Sequence, residues 1–171
     1  EKPEIPEWFD NEYGNQIAVP EPWTPVQADP NGDVSVWGRN YAFGGLFPRS
    51  VTAHGRELLA RPVRLDLVTD GKRVDWSVAS LELESATPGK AVYRAELTSD
   101  VGTVAGTVTV EFDGFAWYDL KLTPKDGGIQ VDSMDLAIDI RQEFGELQCM
   151  HRYLDDPVLA KGVPEPEQKP W

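Results

Sequence analysis

The feature that most constrains this chain is an alternation of apolar and polar residues with period two. It runs from residue 63 to residue 140 and is interrupted only at turn signals. Successive side chains of a strand point to opposite faces, so a sustained period of two marks strands with one face buried. Val63, Leu65 and Leu67 share a face ahead of Asp70-Gly71-Lys72. Residues 73–86 place Ala79, Leu81 and Leu83 together and end at Pro88-Gly89. Tyr93, Ala95 and Leu97 line one face of 91–98, and Val104, Val108, Val110 and Phe112 one face of 103–112. Asp113-Gly114 is a two-residue hairpin signal. It is followed by Ala116, Tyr118, Leu120 and Leu122 on one face, with Phe115 and Trp117 on the other. After Lys125-Asp126-Gly127-Gly128, residues 129–140 bring Met134, Leu136, Ile138 and Ile140 together, which predicts that this face turns to the core while Asp135 and Asp139 face solvent.

Upstream, 34–37 and 40–43 flank Gly38-Arg39 as a tight hairpin. Helix is confined to about 56–60 and about 153–161, where Asp155-Asp156-Pro157 is a start signal. Strands do not alternate with helices, which excludes a parallel α/β sheet. No repeat of a solenoid or propeller period is present. The reading is all-β: a two-sheet antiparallel β-sandwich of about nine to eleven strands with at most one or two short helical turns. A chain of 171 residues is one ordinary domain or two very small ones, and the continuous strand pattern reads as one. Residues 1–13 read as an extended Pro/Glu-rich lead and 14–152 as the sandwich. Residues 153–171 read as a short helical turn and a Pro-rich linker.

Charge narrows the function classes. The net charge is −13, and residues 1–35 alone carry eight acids against one base. Nucleic acids and anionic membranes select basic stripes, so neither is an expected partner. No apolar run approaches the ~20 residues that span a bilayer. The single cysteine, Cys149, has no partner within the chain and is expected as a free, passive thiol.

Individual motifs carry little chemistry. Asp29-Pro30-Asn31-Gly32-Asp33 spaces its oxygens like a calcium loop, but Asn40 stands where an EF-hand needs Glu, so a turn is the better reading. His54 and His151 lack metal-ligand spacing, and neither belongs to a nucleophile motif. Asp135 and Asp139 on an exposed face lack the desolvation that makes a general acid. No cofactor or metal is implied. The aromatic residues are the more informative set. Trp37, Trp76, Phe115 and Trp117 are the candidates for carbohydrate binding or domain docking, because exposed aromatics offer stacking faces.

Two blocks resemble known proteins. Val19-Pro20-Glu21-Pro22-Trp23-Thr24-Pro25-Val26 precedes Trp37-Gly38-Arg39 and Leu46-Phe47-Pro48-Arg49-Ser50-Val51-Thr52. A second block comprises Glu111-Phe112-Asp113-Gly114, the strand at 115–123, and Ile129 to Ile140 with Asp132-Ser133. Together, over about residues 14–150, they resemble the N-terminal region of bacterial proteins related to glycoside hydrolase family 123. The resemblance implies an accessory β-sandwich preceding a (β/α)8 catalytic barrel. It also implies an extracytoplasmic or cell-surface setting. That family hydrolyses N-acetylhexosaminides with an adjacent Asp-Glu pair, and this chain contains no Asp-Glu dipeptide, so no catalytic residue carries over. The chain reaches Trp171 before a barrel could begin, and the expectation is a piece of a larger enzyme-like protein.

The leading reading is therefore a non-catalytic domain that packs on a downstream catalytic domain of the same polypeptide, with homodimerisation as one way for the isolated piece to cover that surface. The alternatives are an independent carbohydrate-binding module using exposed aromatics, and a small enzyme with a sandwich cleft. A flat apolar patch favours the first, an aromatic groove flanked by Asp, Asn or Arg the second, and a buried carboxylate pair with displaced pKa values the third.

Overall fold

The structure, a computed structural model, describes residues 18–125 and 127–145 and the backbone of 147–151 and 157–161. It is all-β. The first sheet has five antiparallel strands in chain order: β1 (Gln27–Ala28), β2 (Asp33–Val36), β3 (Arg39–Phe43), β4 (Pro48–Ala53) and β5 (Arg56–Glu57). A short hairpin follows, β6 (Arg64–Thr69) and β7 (Lys72–Arg73). The second large sheet is an antiparallel meander of β8 (Ser77–Ala86), β9 (Lys90–Thr98), β10 (Gly102–Glu111) and β11 (Ala116–Pro124). The next strand, β12 (Ser133–Ala137), returns to pair with β6 and completes a three-stranded sheet. Beyond a 3-10 turn at Gln142–Phe144, β13 (Leu147–His151) and β14 (Pro157–Lys161) form a hairpin.

The alternation over 63–140 correctly places the β9 and β10 residues of the main core, although Leu120, expected on the inward face of β11, is 44% exposed. Val34 and Val36 from β2 and Tyr41 and Phe43 from β3 face Ala91, Tyr93, Ala95 and Leu97 from β9 and Val104, Val108 and Val110 from β10. All are buried, which makes the two large sheets a sandwich around one core. Two tyrosines tie the layers. The Tyr93 hydroxyl donates to the Asp29 carbonyl across the sandwich (2.7 Å), and burial pushes that phenol up to about 12. The Tyr41 hydroxyl donates to the Gly114 carbonyl in the β10–β11 hairpin (2.6 Å), where the Arg39 guanidinium also donates (3.2 Å).

Several expectations are corrected. Fourteen strands are present among the described residues rather than nine to eleven, because short pieces such as β1, β5 and β7 form two-residue pairings that leave little periodicity. Residues 56–60 are not helical. The Glu57 carboxylate accepts bonds from the Ser50 hydroxyl and from the Val51 (3.1 Å) and Leu59 (2.9 Å) backbone N–H groups, which holds the segment extended. The helical turn expected over 153–161 is replaced at Pro157–Lys161 by strand pairing with β13. Residues 1–17, 152–156 and 162–171 lie outside the described residues. The strand expected at 73–86 splits into β7 and β8, and a register shift between Val78 and Ser80 leaves Ala79 exposed. The β2–β3 turn is Trp37-Gly38, since Val36 pairs with Arg39.

Asp29–Asp33 is a turn: the Asp29 carboxylate accepts from the backbone of Asn31 (2.8 Å) and Asp33 (3.3 Å). His54 adopts a left-handed conformation (φ 48°) at the β4–β5 turn and lies against Gly38.

Candidate functional site

The expectation for residues 129–140 is overturned, and the reversal creates the most distinctive surface of the domain. β12 is an edge strand. Its register sets Met134 opposite Leu67 and Leu136 opposite Leu65. Leu67 is fully buried and Leu65 packs on the core, so β6 seats the small sheet against the sandwich. β12 is the outer neighbour of β6 in that sheet. Met134, Leu136, Ile138 and Ile140 are consequently 49–57% exposed although their pattern is that of a core face.

Leu136, Ile138 and Ile140 border a groove of about 240 Å³ whose opposite wall includes Phe47, Val51 and Tyr118. The lining is apolar apart from the Tyr118 hydroxyl, and burial pushes that phenol up to about 12.

The Asp139 side of the same segment, expected to be solvated, is engaged in ion pairs. Asp139 pairs with Arg64 and with Arg61 (3.2 Å), and Arg64 and Arg73 both reach Asp66 (3.2 Å each). The Arg64 hydrogen bond holds the Asp139 carboxyl below its ordinary value of 3.8 despite some desolvation. A depressed folded-state pKa stabilises above the unfolded value and is lost as pH falls through the folded one. Both groups are about a third exposed, so the contribution is modest. We expect Asp139→Asn to lower the thermal midpoint at neutral pH, and the deficit to vanish well below pH 3.8. A deficit that persists in acid removes the ion pairs as its cause.

The four aromatic candidates do not form one site. Trp37, half exposed on the β2–β3 turn, packs edge-on to Trp23 (6.3 Å between ring centres), which packs in turn on Phe112 (5.9 Å). Trp76 is partly buried in a cleft of about 360 Å³ beside Leu46, Val74 and Arg64, and its indole N–H has no acceptor among the described residues. Phe115 and Trp117 are 54% and 56% exposed and lie together, 6.3 Å between ring centres. The Trp117 indole N–H donates to the Asp119 carboxylate (3.2 Å). Cys149 lies on the β13 backbone, and its side chain falls outside the described residues. Sequence reasoning did not single out Met134, Leu136, Ile138 and Ile140 as a surface. Their alternation was legible, but nothing local says whether a covering layer exists.

An antiparallel sandwich whose β12 flank exposes an apolar row among the described residues defines the class: a β-sandwich domain. A family model described as glycoside hydrolase 123, third domain, matches residues 42–149. The match covers more than half of the chain, and the chain belongs to that family. It is thus a domain of a glycoside-hydrolase-like protein. The family resemblance expected over residues 14–150 is supported from β3 onward, and the N-terminal placement has no support in a model described as a third domain. Comparison with curated proteins and with solved structures gave no match.

Proposed function

We propose that this domain is a non-catalytic accessory unit that packs against the catalytic domain of its own polypeptide through the β12 flank. The observation that carries the reading is the exposed row of Met134, Leu136, Ile138 and Ile140 beside an apolar groove. Contiguous apolar surface of this kind marks interaction sites, and interface cores are depleted in charge. The family description supports a companion within the same polypeptide, since a third domain has neighbours. Among the described residues the carboxylates with displaced pKa values, Glu57 and Asp139, are both held low. That is the opposite of what a general acid requires.

The test is the pair Leu136→Asp and Ile138→Asp, placed both in the full-length polypeptide and in this chain alone. In the full-length protein we expect lower thermal stability of the catalytic domain and faster proteolysis between domains. In this chain alone we expect little change, because both side chains are half exposed already. No effect in the full-length protein overturns the proposal. So does equal destabilisation of the isolated chain, which would mean that its own termini cover the face. Loss of a homodimer as the sole effect would assign the face to a second copy and also overturns it.

A further inference from the structure

The outer face of the four-stranded sheet carries a second feature, independent of the β12 flank. Along β10 the outward residues Thr103, Ala105, Thr107 and Thr109 are all small. Register places longer residues on both sides of them. Asp119, Thr107 and Arg94 form one row; Lys121, Ala105 and Glu96 form the next. The result is a shallow trough of about 350 Å³ with Ala105 and Thr107 in its floor and Arg94, Asp119 and Lys121 in its walls. One row further along β11 stands Trp117, with Phe115 beside it. Asp119 joins the two parts, because it lines the trough and also accepts the Trp117 indole N–H.

We propose that this trough binds a neutral oligosaccharide lying along β10, with a sugar ring stacked on Trp117. The chemistry of the walls selects the ligand. β9 and β10 are paired on both sides, so the floor offers side chains and no free strand edge to a peptide. Basic Arg94 and Lys121 are balanced by Asp119 and Glu96, and Arg94 is also held by Glu84 (3.0 and 3.1 Å). No excess of positive charge therefore favours an anionic polymer. Threonine hydroxyls, a planar carboxylate and a planar guanidinium supply donors and acceptors in the geometry that adjacent ring hydroxyls use. The exposed aromatic pair supplies an apolar face for the C–H side of a ring. A sugar chain presents these two kinds of surface together.

The experiment is affinity electrophoresis of the chain through gels containing a neutral galactomannan, a neutral xyloglucan or hydroxyethylcellulose, with an anionic polygalacturonate gel alongside. We expect retardation in at least one neutral gel, and binding weakened about tenfold or more by Trp117→Ala, as loss of a stacking aromatic predicts. Thr107→Arg, which fills the floor, should weaken it as well. Leu136→Asp on the other flank should leave it unchanged. Circular dichroism checks that each variant is folded, and Thr107→Arg keeps the test valid should Trp117→Ala misfold. The proposal is overturned if no neutral gel retards the protein, if only the anionic gel does, or if folded variants at positions 107 and 117 bind like the parent.

Discussion

Replacement of Phe43 by alanine should cost about 3–5 kcal/mol of stability and lower the thermal midpoint by about 10 °C, the largest loss expected from a single truncation here. Phe43 is 0% exposed. Its ring lies between Tyr41 (6.2 Å) and Tyr93 (5.8 Å), one on its own strand and one on the facing sheet. Both neighbours are fixed by hydrogen bonds, Tyr41 to Gly114 and Tyr93 to Asp29. Neither can move into the space without breaking its hydrogen bond, so the cavity stays open and the cost sits in the upper part of the range. Phe43→Leu, which refills much of that volume, should recover most of the loss. The check is equilibrium denaturation with an unchanged slope against denaturant. An alanine variant within about 1 kcal/mol of the parent would show that the layers are not held together at Phe43.

The second large effect comes from adding atoms. Along β10 the inward positions read Val104, Gly106, Val108 and Val110, so position 106 looks like a gap that valine would fill. Strand propensity agrees, favouring valine over glycine by up to about 1 kcal/mol. The structure reverses this. A Cβ at 106 would overlap the Asp119 carbonyl oxygen on β11 and lie 2.8 Å from Leu120 Cδ2. The first obstacle is backbone, which gives way only if the β10–β11 pair shifts. We expect Gly106→Val to destabilise by about 3 kcal/mol and lower the midpoint by about 6–12 °C, the upper end of overpacking costs. Gly106→Ala should show a smaller loss of the same sign. A stabilised valine variant, measured by thermal unfolding, would mean that β10 and β11 are further apart than described.

Both effects are expressed through the same sandwich, yet they differ in how far the chain announces them. Phe43 lies in a segment that reads as one arm of a hairpin from sequence, and a large apolar residue there is no surprise in a core. The need for glycine at 106 does not, because the atom it avoids belongs to a residue thirteen positions away.

The candidate surfaces divide in the same way. Phe115 and Trp117 stand opposite Ala116 and Tyr118 by parity alone, and they are exposed as that parity allows. That Thr107, Asp119 and Arg94 flank them as a trough depends on the register of three strands, which hairpin turns decide jointly.

What the sequence by itself determined is the all-β class, the sandwich core of Tyr93, Val104, Val108 and Val110, and the turn at Asp113-Gly114, where Gly114 takes φ +85°. These follow from local periodicity and turn chemistry, which act within a few residues. Only the tertiary structure decided which apolar faces are covered. The alternation of Val63–Leu67 and of Met134–Ile140 is equally regular, yet Leu67 is buried and Ile138 is 55% exposed. The reason is layer position: β6 packs on the sandwich core, whereas the apolar row of β12, its outer neighbour, has no second layer over it among the described residues. Periodicity states that a strand has an apolar face, but burial of that face requires a second surface, and whether one is present is a property of the whole assembly of sheets.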